Sequence, residues 1–304
     1  MSVVLSERAR GSVALVVAGV LWGTGGLAGS LLGQLAGLHP LAVAAYRLLL
    51  GGAAAIAVSG KGIPRTRTQI KRVLVVGALF AFFQTTYFAA VALGSVATAT
   101  MTTIGAAPVM LTIATAIRTR RAPRSWTVLS VVGSLIGLVL LSWEPHTETS
   151  NAAIVLALAA AAGFAVLTTR PVDDPLATTA YGCLTGGLLL TPAALALGMA
   201  LPARPDVLLV AVYFGVVPTA LAYAAYFKGL TTAHPVLGAL SALLEPLTAT
   251  ILSVAFLHDH LSPQAWGGAA LLTAALAVGY WRPEPTSGRA AADGRGSRTD
   301  AGRP

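Results

Sequence analysis

A carboxylate and an arginine, each embedded in a long apolar stretch, are the residues of this sequence best suited to chemistry. Glu245 lies in the apolar stretch 232–257 and is followed at once by Pro246, and Arg47 lies in the apolar stretch 40–58. A charged side chain at bilayer depth costs about 2.5–3.5 kcal/mol on insertion scales, so such residues usually mark a path for ions or solutes. Glu245 is therefore either a proton or amine acceptor in a cavity or a structural carboxylate that is hydrogen-bonded to another helix.

Arg47 has three alternative roles: it binds a carboxylate, it stabilises Glu245, or its side chain extends outward to the membrane surface. At 1.5 Å per helical residue, Arg47 lies about 10 Å and Glu245 about 12 Å below the same membrane boundary. Among Arg, Lys, Asp and Glu, these two residues alone fall in the middle of an apolar stretch. We expect them to face one cavity and to interact in at least one conformation, because each charge alone is costly there.

Four polar or aromatic residues in the first half of the chain are weaker candidates to line such a cavity. Trp22 and Thr24 lie in the middle of an apolar stretch. Trp22 offers a face for apolar or cationic groups, although packing in a core explains it equally well. Gln84 and Tyr87 lie about one turn apart on one helix, where they line a cavity or hydrogen-bond across helices.

In the second half, Tyr223 and Ser241 are candidates of the same kind. Packing and binding explain Tyr223 equally well, whereas Ser241 lies one turn before Glu245 and can hydrogen-bond its carboxylate. The sequence His-Asp-His at 258–260 has metal-binding residue types, but no further Cys, His or acidic residue lies near it in the sequence. We expect a solvated turn there, with no metal site and no cofactor in the protein.

The composition places these residues in a membrane. The chain has 304 residues, of which 56% are hydrophobic and 10% charged, and its mean hydropathy is +0.77. Soluble domains carry about 25% charged residues. The net charge of +9 raises nucleic-acid binding as an alternative, but the basic residues lie in the connections between apolar stretches, as is typical of membrane proteins. We predict an integral membrane protein that contacts the lipid bilayer and binds no nucleic acid.

The apolar stretches predict an all-α protein with ten transmembrane helices. Only helices and closed barrels satisfy backbone polar groups in lipid, and these stretches lack the alternation of barrel strands. Their approximate bounds are 11–33, 40–58, 72–92, 95–117, 125–143, 151–169, 175–197, 206–227, 232–257 and 263–281.

Charge placement predicts the orientation of these helices. With the N-terminus inside, 18 of the 20 Lys and Arg residues fall in cytoplasmic segments, whereas Arg204 falls in an outer connection. Because basic residues concentrate in cytoplasmic loops, both termini are predicted to be cytoplasmic, in a multi-pass protein of the cell membrane. The basic tail 282–304 has few apolar residues and is expected to be disordered.

The two halves of the chain repeat each other. Residues 40–52 match residues 175–187 at an offset of 135, with a shared Pro-Leu-Ala start, a shared tyrosine and a shared Gly-Gly end. Each half holds five predicted helices, and an odd number makes the second copy enter the membrane from the opposite side. We predict two inverted five-helix repeats, at 11–143 and 151–281, with a site between them near the membrane midplane.

Five short sequences, in their order and spacing, resemble the EamA-type members of the drug/metabolite transporter superfamily over about residues 11–281. They are Leu21-Trp22-Gly23, Ala45-Tyr46-Arg47, Val217-Pro218-Thr219-Ala220-Leu221-Ala222-Tyr223, Leu244-Glu245-Pro246 and Leu257-His258-Asp259-His260-Leu261. The second repeat departs from the first at Gly182, which stands where the first repeat has Arg47.

The resemblance implies a secondary transporter that exports small organic metabolites, such as amino acids, related compounds or drugs. It also implies alternating access around a central cavity without ATP hydrolysis, and the sequence contains no Gly-x-x-x-x-Gly-Lys-Ser/Thr loop. The expected partners are a small-molecule substrate and the bilayer, with protons as the candidate coupling ion. We expect a monomer or a homodimer.

Two other classes of protein are alternatives to a transporter. An intramembrane enzyme is disfavoured, because the sequence has no Gly-x-Ser-x-Gly, no His-Glu-x-x-His and no pair of embedded aspartates. A channel or a non-transporting membrane interaction protein is the remaining alternative. The inverted repeat and the single embedded Arg and Glu favour alternating access over a ring of pore-lining charges.

Overall fold

The protein is helical throughout the part that the computed structural model describes, which is residues 7–59, 64–142, 150–170, 172–257 and 260–281. No strand occurs within those ranges, so the predicted all-α fold is confirmed. In chain order the helices are α1 (Glu7–Ala36), α2 (Pro40–Ser59), α3 (Arg67–Ala92), α4 (Val96–Thr119), α5 (Ser125–Leu141), α6 (Asn151–Thr168), α7 (Pro175–Ala196), α8 (Pro205–Gly215), α9 (Ala222–Leu230), α10 (Pro235–Ala242), α11 (Leu244–Leu252) and α12 (Pro263–Trp281).

Two π-helical turns make longer segments out of these helices. The first π-turn, Val216–Leu221, joins α8 to α9 in one rod, and the second, Ser253–Leu257, extends α11. Eight helical segments of the described residues are long and apolar enough to cross a membrane, and α5 is a shorter apolar helix. With α12, these make ten helical segments, whose bounds lie within about five residues of the predicted ones. Three predicted features lie outside the described residues. They are the end of the fifth stretch at Trp143, residues 258 and 259 of the His-Asp-His sequence, and the tail 282–304.

Apolar side chains cover the outside of the helix bundle. Leu209 of α8, Phe256 of the second π-turn and Ile117 of α4 are 72%, 72% and 71% exposed. In water such exposure would be costly, at roughly 25 cal/mol per Å² of apolar surface, whereas lipid chains cover it without that cost. The chain is therefore a multi-pass membrane protein.

Short polar residues begin the helices at the membrane surface. Thr66 and Gln69 form a capping box at the start of α3, in which each side chain accepts a hydrogen bond from the other's backbone N–H. Asp174 begins α7 by accepting from the backbone N–H of Ala177 at 3.1 Å, and Pro175 occupies the first helical position. These caps fix the first residues of α3 and α7, and the capping box explains why α3 begins five residues before its apolar stretch.

Glycines bring helices of the two halves almost into backbone contact. A Cβ atom added to Gly52 of α2 would overlap the backbone of Leu184 on α7, and one added to Gly187 of α7 would overlap Leu49 on α2. Helices α5 and α12 meet in the same way at Gly137. Small residues permit such close packing in lipid, where no hydrophobic force drives helices together. Helix α1 packs against α9 and α11, and α3 packs against α6 and α7, so the halves interlock.

An aromatic layer fills the middle of the bundle. The Trp22 ring lies 5.2 Å from Tyr223, 4.9 Å from Tyr226 and 6.1 Å from Phe164 between ring centroids. The Phe80 ring is fully buried and meets Tyr223 edge to face at 4.7 Å. Such contacts contribute about 0.5–1.5 kcal/mol each beyond area burial, so they help to hold the helices of the two halves together.

Candidate functional site

A cavity of about 460 Å³ adjoins the aromatic layer and contains both embedded charges. Arg47 of α2 and Glu245 of α11 line it. Four more of the predicted site residues line it as well; these are Trp22, Gln84, Tyr87 and Tyr223. The structure thus brings together side chains from both halves of the chain around one space.

The cavity opens at the end of the molecule that carries the connection between α1 and α2. Its lining runs from Trp22 along α1 to Ser30 and Gln34, and it includes Pro40 at the start of α2. The last three residues are exposed. The Gln34 amide donates to the Ser30 hydroxyl at 3.2 Å, so this mouth carries polar groups. By the charge bias of the sequence, this end is predicted to face the outside.

Arg47 is anchored to the second half of the chain. Its Nε donates to Thr219 Oγ1 and its Nη2 donates to the Pro218 carbonyl, both at 3.4 Å. The guanidinium carbon also lies 5.0 Å from the centroid of the Phe214 ring, within the range of a cation–π contact. Among the described residues, no ion pair joins Arg47 to Glu245. The two charges therefore share a cavity in this conformation without neutralising each other through direct contact.

Glu245 is placed by a break between α10 and α11. Helix α10 ends at Ala242, Leu243 forms a turn, and α11 begins one residue before Glu245. Pro246 has no N–H with which to continue the hydrogen-bond ladder to Ala242, which also lines the cavity. The Glu245 side chain is half-buried, and within the described residues no hydrogen bond or ion pair engages its carboxylate. A carboxylate without protein partners in a cavity is available to a proton or to a cationic group.

Two buried N–H donors in the cavity wall also lack partners within the described residues. They are Nε1 of Trp22 and Nε2 of Gln84, and Gln84 is only 1% exposed. An unmade hydrogen bond at a buried donor costs about 1–3 kcal/mol, and such groups call for an unseen acceptor. Tyr87, by contrast, shares a hydrogen bond of 2.7 Å with Thr100 Oγ1 of α4. The wall can therefore accept a solute that brings its own hydrogen-bond acceptors.

Two predicted site residues lie outside the cavity lining. The Thr24 hydroxyl donates to the Leu21 carbonyl at 2.8 Å, and the Ser241 hydroxyl donates to the Gly238 carbonyl at 2.6 Å. Both bonds run back along the residue's own helix, as is common for Ser and Thr. A hydroxyl has only one hydrogen, and Ser241 donates it to Gly238. The expected hydrogen bond from Ser241 to the Glu245 carboxylate is therefore not formed.

Several cavity residues were not among the sequence candidates. Phe83, Phe164 and Phe214 supply aromatic walls, and Thr100 and Thr103 supply hydroxyls. Phenylalanine and threonine in apolar helices look the same to sequence analysis whether they face lipid, a core or a cavity. Only the helix packing distinguishes them.

The lining of the central cavity does not extend to the opposite end of the molecule. A second cavity of about 530 Å³ lies there at the starts of α3 and α7, and it shares no lining residue with the first. On α3, Val76 lines the second cavity and Phe83 lines the first, about 10 Å apart along the helix. The buried Phe80 ring lies between them and contacts Tyr223. An exposed ion pair, Arg72 with Asp173, joins α3 to the segment before α7 at this end.

The helical architecture and the partly polar central cavity define a multi-pass membrane protein with an internal cavity large enough for a small solute. The sequence profile of the EamA-like transporter family matches residues 9–143 and 150–281. The chain belongs to this family, as the sequence resemblance predicted.

Curated relatives of the chain include three bacterial proteins. The uncharacterized transporter YwfM of Bacillus subtilis is 31% identical over 276 residues, covering 88% of this chain and 92% of YwfM. Protein PecM of Dickeya dadantii is 30% identical and covers 79% and 82% of the two chains. The uncharacterized inner membrane transporter YicL of Salmonella typhimurium is 24% identical, covering 90% and 95%.

A solved structure shares the fold. A chain described as "Crystal structure of protein" superimposes with a TM-score of 0.74 at 23% identity, covering 89% of this chain and 98% of that one. At this identity, the likeness extends to the fold alone. Family and named relatives together identify the chain as a membrane transporter.

Proposed function

We propose that this protein is a secondary transporter that exports small organic metabolites, such as amino acids, related compounds or drugs, from the cytoplasm by alternating access. The observation that carries the proposal is one central cavity of about 460 Å³ that holds an arginine and a carboxylate, opens to one end and is closed toward the other. Its volume falls in the range of sites for small organic ligands, which is about 300–1,000 Å³.

The lining of the cavity suits a solute that carries both charged or polar groups and apolar surface. Glu245 can hold a cationic amine, and Arg47 with the N–H groups of Trp22 and Gln84 can hold oxygen acceptors. Aromatic rings such as Phe164 and Phe214 cover the rest of a bound molecule. Because buried charges are costly without partners, a solute that pairs with both charges gains more than a neutral one.

The barrier at Phe80 and Tyr223 supports alternating access over a continuous pore. The two cavities lie on opposite sides of this contact, and the contact joins α3 of the first half to α9 of the second. Movement of one half against the other would open the second cavity and close the first. In this proposal, the two halves are the predicted repeats 11–143 and 151–281, and the termini are cytoplasmic.

Protons are the proposed coupling ion. Among the described residues that line the central cavity, Glu245 is the only Asp or Glu. A carboxylate that alternately binds a proton and a solute cation couples the two fluxes, because one site cannot hold both. The Glu245→Gln substitution keeps the shape of the side chain and removes its charge, so it should lose both proton binding and pairing with a solute cation.

A growth-resistance panel tests the proposed function. Cells that make the wild-type protein and cells that make Glu245→Gln are grown with amino acids, amino-acid analogues and cationic drugs, at matched levels of protein in the membrane. We expect the wild type to raise resistance to at least one compound and Glu245→Gln to lose that gain. Equal growth of wild-type and empty-vector cells across the panel would refute export of these solutes, and greater sensitivity would show uptake instead.

A further inference from the structure

The position of the Arg47 guanidinium depends on an unusual turn in a neighbouring helix. All three of its described contacts are with residues of α8 and the first π-turn: the Phe214 ring, the Pro218 carbonyl and the Thr219 hydroxyl. Glycines on both sides permit this approach, since a Cβ atom on Gly51 of α2 would overlap Thr219. A cation on α2 is thus held by the opposite half of the chain.

Pro218 creates the acceptors that Arg47 uses. Proline has no N–H, so the Phe214 carbonyl loses its α-helical donor, and it accepts the Thr219 hydroxyl at 2.8 Å instead. Four residues after Pro218, the backbone N–H of Ala222 bonds to the carbonyls of Thr219 and Val217. The Pro218 carbonyl lies between these two in the chain. It does not accept from Ala222, and it accepts from Arg47 instead. In a regular α-helix, that N–H would occupy it.

The hydroxyl of Thr219 has a defined direction. Threonine carries one hydroxyl hydrogen and two lone pairs. The hydrogen goes to the Phe214 carbonyl, so a lone pair is directed at Arg47 and accepts from Nε. The Thr219 side chain is fully buried. The hydroxyl therefore fixes where the remaining N–H groups of the guanidinium lie in the cavity wall.

We propose that Thr219 is a positioning residue for Arg47, and that the first π-turn presents the guanidinium to acceptor groups of a bound solute, such as a carboxylate. Arginine has five N–H donors, and the Thr219 and Pro218 bonds use two of them. The transport role of this arrangement rests on the function proposed above, whereas the arrangement itself does not. Among the described residues that line the cavity, Arg47 is the only Arg or Lys, so a bound solute meets one cationic side chain there.

Chemical modification of Arg47 tests the inference without a known substrate. Phenylglyoxal reacts with the two terminal nitrogens of an arginine, and peptide mass spectrometry of the purified protein gives its rate at each position. The Thr219→Val variant keeps the shape of the side chain and removes the hydroxyl, and Thr219→Ser keeps the hydroxyl. We expect Thr219→Val to raise the rate at Arg47 roughly fivefold, since a hydrogen bond that held the guanidinium in place is lost. We expect Thr219→Ser to leave the rate near that of the wild type.

Arg118, exposed at the end of α4 and distant from this turn in the chain, is the internal reference. A rise at both Arg47 and Arg118 would show general unfolding and would count against the proposal. Equal Arg47 rates in the wild type, Thr219→Val and Thr219→Ser would also count against it.

If Thr219→Val does not accumulate, Pro218→Ala replaces it. The restored N–H should compete for the Phe214 carbonyl, and a regular helix should cover the carbonyl of residue 218, so the Arg47 rate should rise again. An unchanged rate in Pro218→Ala would overturn the inference.

The same experiment separates this inference from the proposed function. Should the resistance panel fail while Thr219→Val accelerates the modification of Arg47, the positioning role stands and the export proposal falls. Should the panel succeed while Arg47 modification is unchanged, the protein exports solutes without this role for Thr219.

Discussion

Arg47 and Glu245 share a cavity without forming an ion pair, and this determines what each residue can do. Arg47 is held by the Thr219 hydroxyl and the Pro218 carbonyl, whereas the Glu245 carboxylate has no hydrogen-bond partner among the described residues. The two charges are thus available to a solute that lies between them. We infer that they form one binding unit rather than a structural salt bridge.

The first prediction concerns these two charges. Arg47→Ala and Glu245→Ala should each lower transport by roughly ten- to a hundredfold, because a hydrogen bond to a charged group contributes about 1.5–3 kcal/mol. The double variant should be no worse than the worse single variant, since the two residues act on the same bound solute. Transport of the resistance-panel compound into inverted membrane vesicles measures this. Losses that multiply in the double variant would contradict a shared site, and Arg118→Ala at the surface is the control.

The second prediction concerns the unpartnered Gln84 amide. Gln84→Met should keep or raise the melting temperature of the purified protein, because it removes a buried N–H group without a partner in the described structure. The same change should weaken transport, because the solute loses a donor. Thermal unfolding in detergent and the vesicle assay measure the two effects. A lower melting temperature with unchanged transport would show that Gln84 is a structural residue.

At the scale of the helices, close packing at glycines sets the geometry of the cavity. Gly52 and Gly187 let α2 and α7 approach, and Gly51 brings Arg47 to the first π-turn. The sequence predicted the positions of the helices well, because each apolar stretch has a length set by the bilayer and begins near a capping residue. It did not predict the π-turn, because Pro218 in an apolar helix is compatible with a kink, a bulge or an ordinary bend.

The same limit explains which site residues were found from the sequence. Arg47 and Glu245 stand out because charge in lipid is costly, and this needs no knowledge of packing. Thr24 and Ser241 were expected at the site and lie outside the cavity lining, since a hydroxyl can bond to its own helix as readily as to a solute. Phe164 lies in the lining, yet nothing in the sequence around it distinguishes it from the phenylalanines that pack elsewhere.

The third prediction concerns helix packing. Gly52→Ala should lower the stability of the protein by about 1–3 kcal/mol, because the added methyl group overlaps the backbone of Leu184. Gly267→Ala on α12 is the matched control, since a Cβ atom there meets nothing within 4 Å. The control should be neutral or slightly stabilising, because alanine favours the helix over glycine. Thermal unfolding of both variants in the same detergent measures the difference, and equal melting temperatures would contradict the close approach of α2 and α7.

At the scale of the whole molecule, the cavity connects to one end and the aromatic layer closes the other. The charge bias of the connections predicts that the open end faces outward and that both termini are cytoplasmic. Single-cysteine labelling tests this orientation directly.

The fourth prediction concerns this orientation. Cys183 is the only cysteine and is buried, so Cys183→Ser gives a background for single cysteines at exposed positions. Cysteines at Thr66 and Ala122 should resist impermeant thiol reagents added to intact cells, whereas one at Ala203 should react. A cysteine at Gln34, in the exposed mouth of the cavity, should react as well. Labelling at Thr66 from outside would invert the proposed topology.

Counterflow tests the central claim most directly. Proteoliposomes that contain the purified protein are preloaded with an excess of the unlabelled compound from the resistance panel, and the labelled compound is added outside at a trace concentration. An alternating-access carrier should accumulate the label transiently above its equilibrium level, because the unlabelled solute returns the empty site to the outside. Arg47→Ala should abolish this overshoot. An uptake curve that rises to equilibrium without an overshoot, unaffected by the preloaded solute, would show a pore and would contradict the account.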